Sequence, residues 1–165
     1  MTILRARRRP YHRPVTFALP RVLIVEDDSA LRRFLCHALT RQGMTVEVAA
    51  DGASARKRLH DGSEWDCVLI DGLLPDELGT DLALDLVDDA ATAGLPICFV
   101  TGTLHGGETA AESGVGWLPK PVRPAEIRET VLRLMEWARR GGSPAADRRL
   151  VLRRLEDRLT FSGAA

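Results

Sequence analysis

Residues 22–35 read VLIVEDDSALRRFL, and the fold turns on this stretch. Val22 to Val25 form an unbroken apolar run, which suits a strand covered on both faces better than one with a wet side. Glu26, Asp27 and Asp28 end it abruptly. Beyond them Leu31, Phe34, Leu35, Ala38 and Leu39 recur at i, i+3, i+4, i+7 and i+8, the apolar stripe of an amphipathic helix. Ser29 is placed to cap that helix and Gly43 to end it.

The same alternation repeats outward along the chain. Further apolar runs lie at Met44 to Ala49, Cys67 to Ile70, Ile97 to Val100 and Gly116 to Leu118. Helical patterns follow at Gly52 to Leu59, Gly79 to Asp88 and Pro124 to Arg139, the last with Ile127, Val131, Leu134, Met135 and Ala138 on one face. The stretch Gly106 to Ser113 is a poor helix former because glycine and small residues dominate it. Five strand-helix repeats predict an α/β fold with a doubly wound, five-stranded parallel sheet, whose ligands lie beyond the carboxyl ends of the strands.

Residues 21–140 are therefore expected to form the domain. Residues 1–20, with Pro10, Pro14 and Pro20 and no apolar period, read as a basic flexible arm. In residues 141–165, Gly141-Gly142-Ser143-Pro144 breaks the chain, and Asp147 to Leu159 reads as an extra C-terminal amphipathic helix with Leu152, Leu155 and Leu159 on one face. That helix is expected to cover its own domain or a second subunit, with another protein or an anionic surface as the alternative.

Composition narrows the class. A chain of 165 residues, 45% hydrophobic, suits one domain of ordinary size and not two. No apolar run approaches the roughly 20 residues needed to span a bilayer, so a cytoplasmic protein without membrane contact is expected. Cys36, Cys67 and Cys98 lack metal spacing and read as buried free thiols, and the four histidines are scattered. Net charge is zero but segregated: residues 1–21 carry six arginines and no acid, whereas residues 22–140 carry 12 basic against 20 acidic side chains.

The acids matter most where strands end. Glu26-Asp27-Asp28 follow the first strand, Asp71 the third and Thr101 the fourth, and Lys120 comes just after the fifth. Adjacent strands lie about 5 Å apart, so these groups converge on one pocket. Grouped carboxylates repel, and either a raised pKa or a hard cation such as Mg²⁺ relieves the cost. A carboxylate beside that ion stays ionised and can attack phosphorus, while the lysine, the hydroxyl and backbone N–H groups hold phosphoryl oxygens.

The segments VLIVEDDSALRRFL, VLIDGLLPDELG, FVTGT and WLPKP, in this order, resemble the receiver domains of bacterial two-component response regulators over about Arg21 to Arg140. The resemblance implies a flavodoxin-like (βα)5 fold with Asp71 as phosphoacceptor. It implies that Glu26, Asp27, Asp71 and the Leu73 backbone carbonyl hold Mg²⁺, and that Gly72 and Gly102 border the phosphoryl group. Lys120 becomes its counter-charge, Thr101 the switch hydroxyl and Lys120-Pro121 a cis peptide.

Trp117 takes the switch-aromatic position, either turning inward with Thr101 or remaining a fixed apolar plug. The implied partners are a sensor histidine kinase or histidine phosphotransfer protein, an unidentified downstream protein and, in some forms, a second copy of the chain. The activity is catalysis of its own phosphorylation and dephosphorylation only.

Two departures qualify this. The spacing from Thr101 to Lys120 is a few residues short for the family, which implies an altered signalling face. Leu73 is apolar where some relatives place a polar group near the hydrolytic water, which implies slow loss of the phosphoryl group. The alternatives are an unphosphorylated pseudo-receiver serving as a scaffold, and a receiver whose basic ends bind nucleic acid. A haloacid dehalogenase-type phosphatase is disfavoured because it needs an acid where Leu73 stands.

Overall fold

The computed structural model describes residues 19–102 and 113–162, with side chains described as far as Asp157. The basic arm, apart from its last two residues, and nearly all of the glycine-rich stretch 106–113 lie outside the described residues. Five strands, β1 (Arg21–Val25), β2 (Thr45–Ala49), β3 (Cys67–Asp71), β4 (Ile97–Thr101) and β5 (Val115–Pro119), form one parallel sheet in the order β2-β1-β3-β4-β5. The helices are α1 (Ser29–Thr40), α2 (Gly52–Leu59), α3 (Gly79–Asp88), α4 (Pro124–Arg139) and α5 (Ala145–Ser162).

The central strands carry apolar residues on both faces, which is why their runs are continuous. Val22, Ile24, Cys67, Leu69, Cys98, Val100 and Leu118 face α1 and α4, where Leu35, Leu39, Ile127, Val131 and Leu134 complete a core. Leu23, Val25, Val68, Ile70, Ile97, Phe99, Val115 and Trp117 face the other way, onto residues of α2, α3 and α5. Each fully buried Leu, Ile or Phe contributes about 1.5–3 kcal/mol. Leu152 of α5 is one of them, so α5 is part of this second layer.

Local chemistry corrects two details. The cap of α1 is Asp28, not Ser29: its side chain accepts from the Leu31 N–H at 2.8 Å, and Ser29 becomes the first helical residue. A carboxylate at this place also suits the positive end of the helix dipole. Cys36 is only half-buried, whereas Cys67 and Cys98 are buried, with the Cys98 thiol pushed up to about 12 by desolvation. Among the described residues, no helix is long and apolar enough to cross a membrane.

Candidate functional site

Because the strands are parallel, their carboxyl ends share one edge of the sheet. Asp71 closes β3, Thr101 closes β4, Glu26 and Asp27 follow β1, and Lys120 follows β5. One carboxylate oxygen from each of Glu26, Asp27 and Asp71 lies within 4.8 Å of the others. Lys120 Nζ stands 2.7 Å from Asp71 Oδ2 and 3.0 Å from Glu26 Oε2.

The electrostatics follow from burial. Glu26 is 1% exposed, and desolvation outweighs the hydrogen bond from the Asp28 N–H and the Lys120 contact, raising its pKa to about 6. Burial works against the charge of Lys120 too, but its bonds to Asp71 and Glu26 prevail and hold the ammonium above its usual value. Two of the three clustered acids, Glu26 and Asp71, thus share one lysine. Such a set, all oxygen and short of positive charge, fits a hard divalent cation, so the cluster can hold a metal.

The surrounding loops fix these groups. Arg32 donates to the Glu26 carbonyl at 2.7 Å and the Asp27 carbonyl at 3.1 Å, holding the turn after β1. After Asp71, the Gly79 N–H donates to the Gly72 carbonyl at 2.9 Å, and Leu73 bridges to Leu78. This tight return brings the start of α3 against β3: a Cβ on Gly79 would lie 2.0 Å from the Asp71 carbonyl oxygen, so only glycine fits.

Leu73 donates its N–H to Asp71 Oδ1 at 3.2 Å and leaves its side chain 49% exposed. Thr101 is buried at the end of β4, and its carbonyl accepts from the Lys120 N–H at 3.0 Å. Among the described residues Gly102 leaves space, since a Cβ there would meet none of their atoms nearer than Lys120 Cβ at 4.0 Å. The Lys120-Pro121 peptide is cis.

Trp117 stands apart from this cluster. It belongs to the apolar layer beneath α5, 8% exposed, and its indole nitrogen is buried without a hydrogen-bond partner among the described residues.

Two contributors escape a sequence reading. Asp76 accepts from the Gly52 and Ala53 N–H groups at 2.9 and 3.0 Å, fastening the loop after β3 to the start of α2. Those bonds hold its carboxyl below the usual carboxylate range. Glu77 adds an ion pair to Arg56, which also reaches Asp85. Nothing local in PDELG announces these distant partners; only the fold brings α2 alongside.

The chain is similar to known proteins. Protein PetR of Rhodobacter capsulatus is 36% identical over 114 residues, covering 66% of this chain and 45% of PetR. The probable transcriptional regulatory protein TcrX of Mycobacterium tuberculosis is 31% identical over 85% of this chain and 56% of its own length. The chain thus spans about half the length of these curated relatives.

Among solved structures, the chemotaxis response regulator CheY4 of Vibrio cholerae superposes with a TM-score of 0.59 at 28% identity, covering 73% of this chain and 98% of that one. A CheY-like receiver domain protein from Methanospirillum hungatei gives 0.64 at 26% identity, covering 75% and 99%. Residues 22–132 match the family model of the response regulator receiver domain, and with the parallel sheet and its acidic edge in place, the chain belongs to that family of signalling modules.

Proposed function

We propose that this receiver accepts a phosphoryl group on Asp71 and signals by a phosphorylation-dependent protein contact. The observation that carries the reading is the convergence of Glu26, Asp27 and Asp71 with Lys120 as the shared cation at the carboxyl edge of the sheet. A carboxylate oxygen of Asp71 attacks phosphorus, and the bond from phosphorus to the donor nitrogen or oxygen breaks. The donor leaves with the electron pair and an acyl phosphate remains.

Mg²⁺, held by Glu26, Asp27, Asp71 and the Leu73 carbonyl, would neutralise charge on the transferring oxygens. Lys120 moves from the Asp71 carboxylate to a phosphoryl oxygen, and the Thr101 hydroxyl donates to another. Gly72 and Gly102 leave their backbone N–H groups and the space beside them to the phosphoryl group. The new charge shifts an existing equilibrium of the domain, drawing Thr101 toward the site. The donor would be a sensor histidine kinase or a histidine phosphotransfer protein in the cytoplasm, and the receiver would catalyse only its own phosphorylation and dephosphorylation.

Relatives such as TcrX are named transcriptional regulatory proteins, and the chain covers about half their length. The output proposed for the receiver itself is a change in protein binding. Incubation with Mg²⁺ and a small phosphodonor, followed by intact mass, tests the reading. One phosphoryl group is expected on wild type and none on Asp71→Asn, whereas a wild type that gains no mass would make the fold a scaffold.

A further inference from the structure

The second apolar layer of the sheet ends in a helix that the phosphoryl chemistry does not use. On α5, Leu152 is buried in the cluster that holds Phe99, Val115 and Trp117 of the sheet and Leu82, Leu86 and Val87 of α3; Ala145, Val151 and Leu155 pack against its rim. The border is charged and complementary. Arg149 pairs with Asp88 of α3, and Arg153, bonded to Glu156, also lies in the field of Asp81 and Asp88.

One group latches this helix. Arg148 is fully buried and meets no carboxylate among the described residues; it donates to the carbonyls of Ala93, Leu95, Ser113 and Gly114, in the segments entering β4 and β5. Its guanidinium also lies 5.0 Å from the centroid of the Trp137 ring. The connection from α4 runs through Gly141 and Gly142 at φ of 100° and 65°, values that side-chain-bearing residues rarely adopt. A short glycine joint therefore carries a helix held by its apolar seam, by the Arg149–Asp88 ion pair and by the Arg148 latch.

Beneath it the fit is imperfect. The Trp117 indole N–H is buried with no acceptor among the described residues, so covering this residue leaves a hydrogen bond unmade there. Trp117 stands three residues before Lys120, whose ammonium binds Asp71, so the covered face and the acidic edge share one strand.

We propose that the β5–α3 face carrying Trp117 is a protein-docking surface whose resting occupant is the chain's own α5. The partner it accepts is a helix of the same chemistry: an apolar seam flanked by arginines that answer the Asp81 and Asp88 border, with one inner arginine for the four carbonyls. An occupant supplied by the chain itself keeps the surface closed until α5 swings out on the glycine joint. The link from this opening to Asp71, through β5, rests on the phosphoacceptor reading above; the docking surface does not.

A labelled synthetic peptide of residues 143–162, titrated by fluorescence anisotropy into full-length chains, tests this. Wild type should bind it at least tenfold more weakly than the Arg148→Gln chain, whose own helix has lost its latch. The same peptide carrying Arg148→Gln should lose that gain. Should Arg148→Gln prevent folding, the Arg149→Glu, Arg153→Glu chain weakens α5 from outside without disturbing the buried cage, and it too should gain binding.

No gain in either opened chain, with amide exchange showing β1 to β4 intact, overturns the docking surface. A phosphodonor arm on wild type, its phosphoryl content read by mass in the same sample, separates the two claims. Phosphorylated chain that binds the peptide supports the link, and phosphorylated chain that does not overturns the link. A chain that takes up no phosphoryl group contradicts the phosphoacceptor reading and leaves the result from the opened chains standing.

Discussion

The two edges of the parallel sheet handle charge in opposite ways. At the carboxyl edge three carboxylates cluster, two of them, Glu26 and Asp71, share Lys120, and Glu26 is buried with its pKa raised to about 6. At the amino edge a buried guanidinium, Arg148, meets carbonyl oxygens and, among the described residues, no carboxylate. Burial pulls Arg148 down to about 10, still protonated at neutral pH, and fixed dipoles satisfy it. The first edge is left short of positive charge and invites a cation and a phosphoryl group. The second is satisfied by Arg148 of the chain's own α5, which gives those carbonyls their donors.

Substitutions break this contrast at each edge in turn. Asp71→Asn should abolish phosphoryl uptake by intact mass with the fold retained, because it removes the attacking oxygen while keeping the shape. Arg148→Ala should leave phosphoryl uptake in place and cost about 3 kcal/mol in urea unfolding, since several buried carbonyls lose their donor.

The acidic edge should also show itself through pH. Glu26 has a folded pKa near 6 against an ordinary value of 4.5, so the folded state holds its proton more tightly than the unfolded chain does. Its contribution is full below pH 4.5 and is lost as pH rises through 6, a fall of about 2 kcal/mol without metal. Unfolding midpoints at pH 4.5 and 7 should show that fall, and Glu26→Gln should flatten it; a wild-type midpoint that climbs instead would contradict the assignment. Smaller still, Leu73→Asn should shorten the acyl phosphate lifetime roughly tenfold by offering a polar group to the hydrolytic water. Decay after donor removal measures it, and an unchanged rate would disconnect Leu73 from hydrolysis.

The two edges were unequally legible in the sequence. Strand ends write their polar residues beside apolar runs, so Glu26, Asp27, Asp71, Thr101 and Lys120 stand out, and the boundaries of α2, α3 and α4 follow from periodicity. The latch does not stand out. Arg148 sits among four other arginines in residues 141–165, and only the placement of α5 against α3 and β5 separates the buried one from its solvated neighbours. Asp76 is hidden for the same reason, because its partners are backbone N–H groups of a helix far away in sequence. Trp117 was readable as a position but not as a state, since whether it moves or plugs depends on the helix that covers it.

Borohydride trapping tests the central claim most directly. Wild type treated with Mg²⁺ and a small phosphodonor, then reduced, should yield homoserine at position 71 in peptide maps, because the reagent cleaves an aspartyl phosphate to that alcohol. Omitting Mg²⁺ should remove the product. Homoserine at another acid, or none in a wild type that is folded, would contradict Asp71 as the phosphoacceptor.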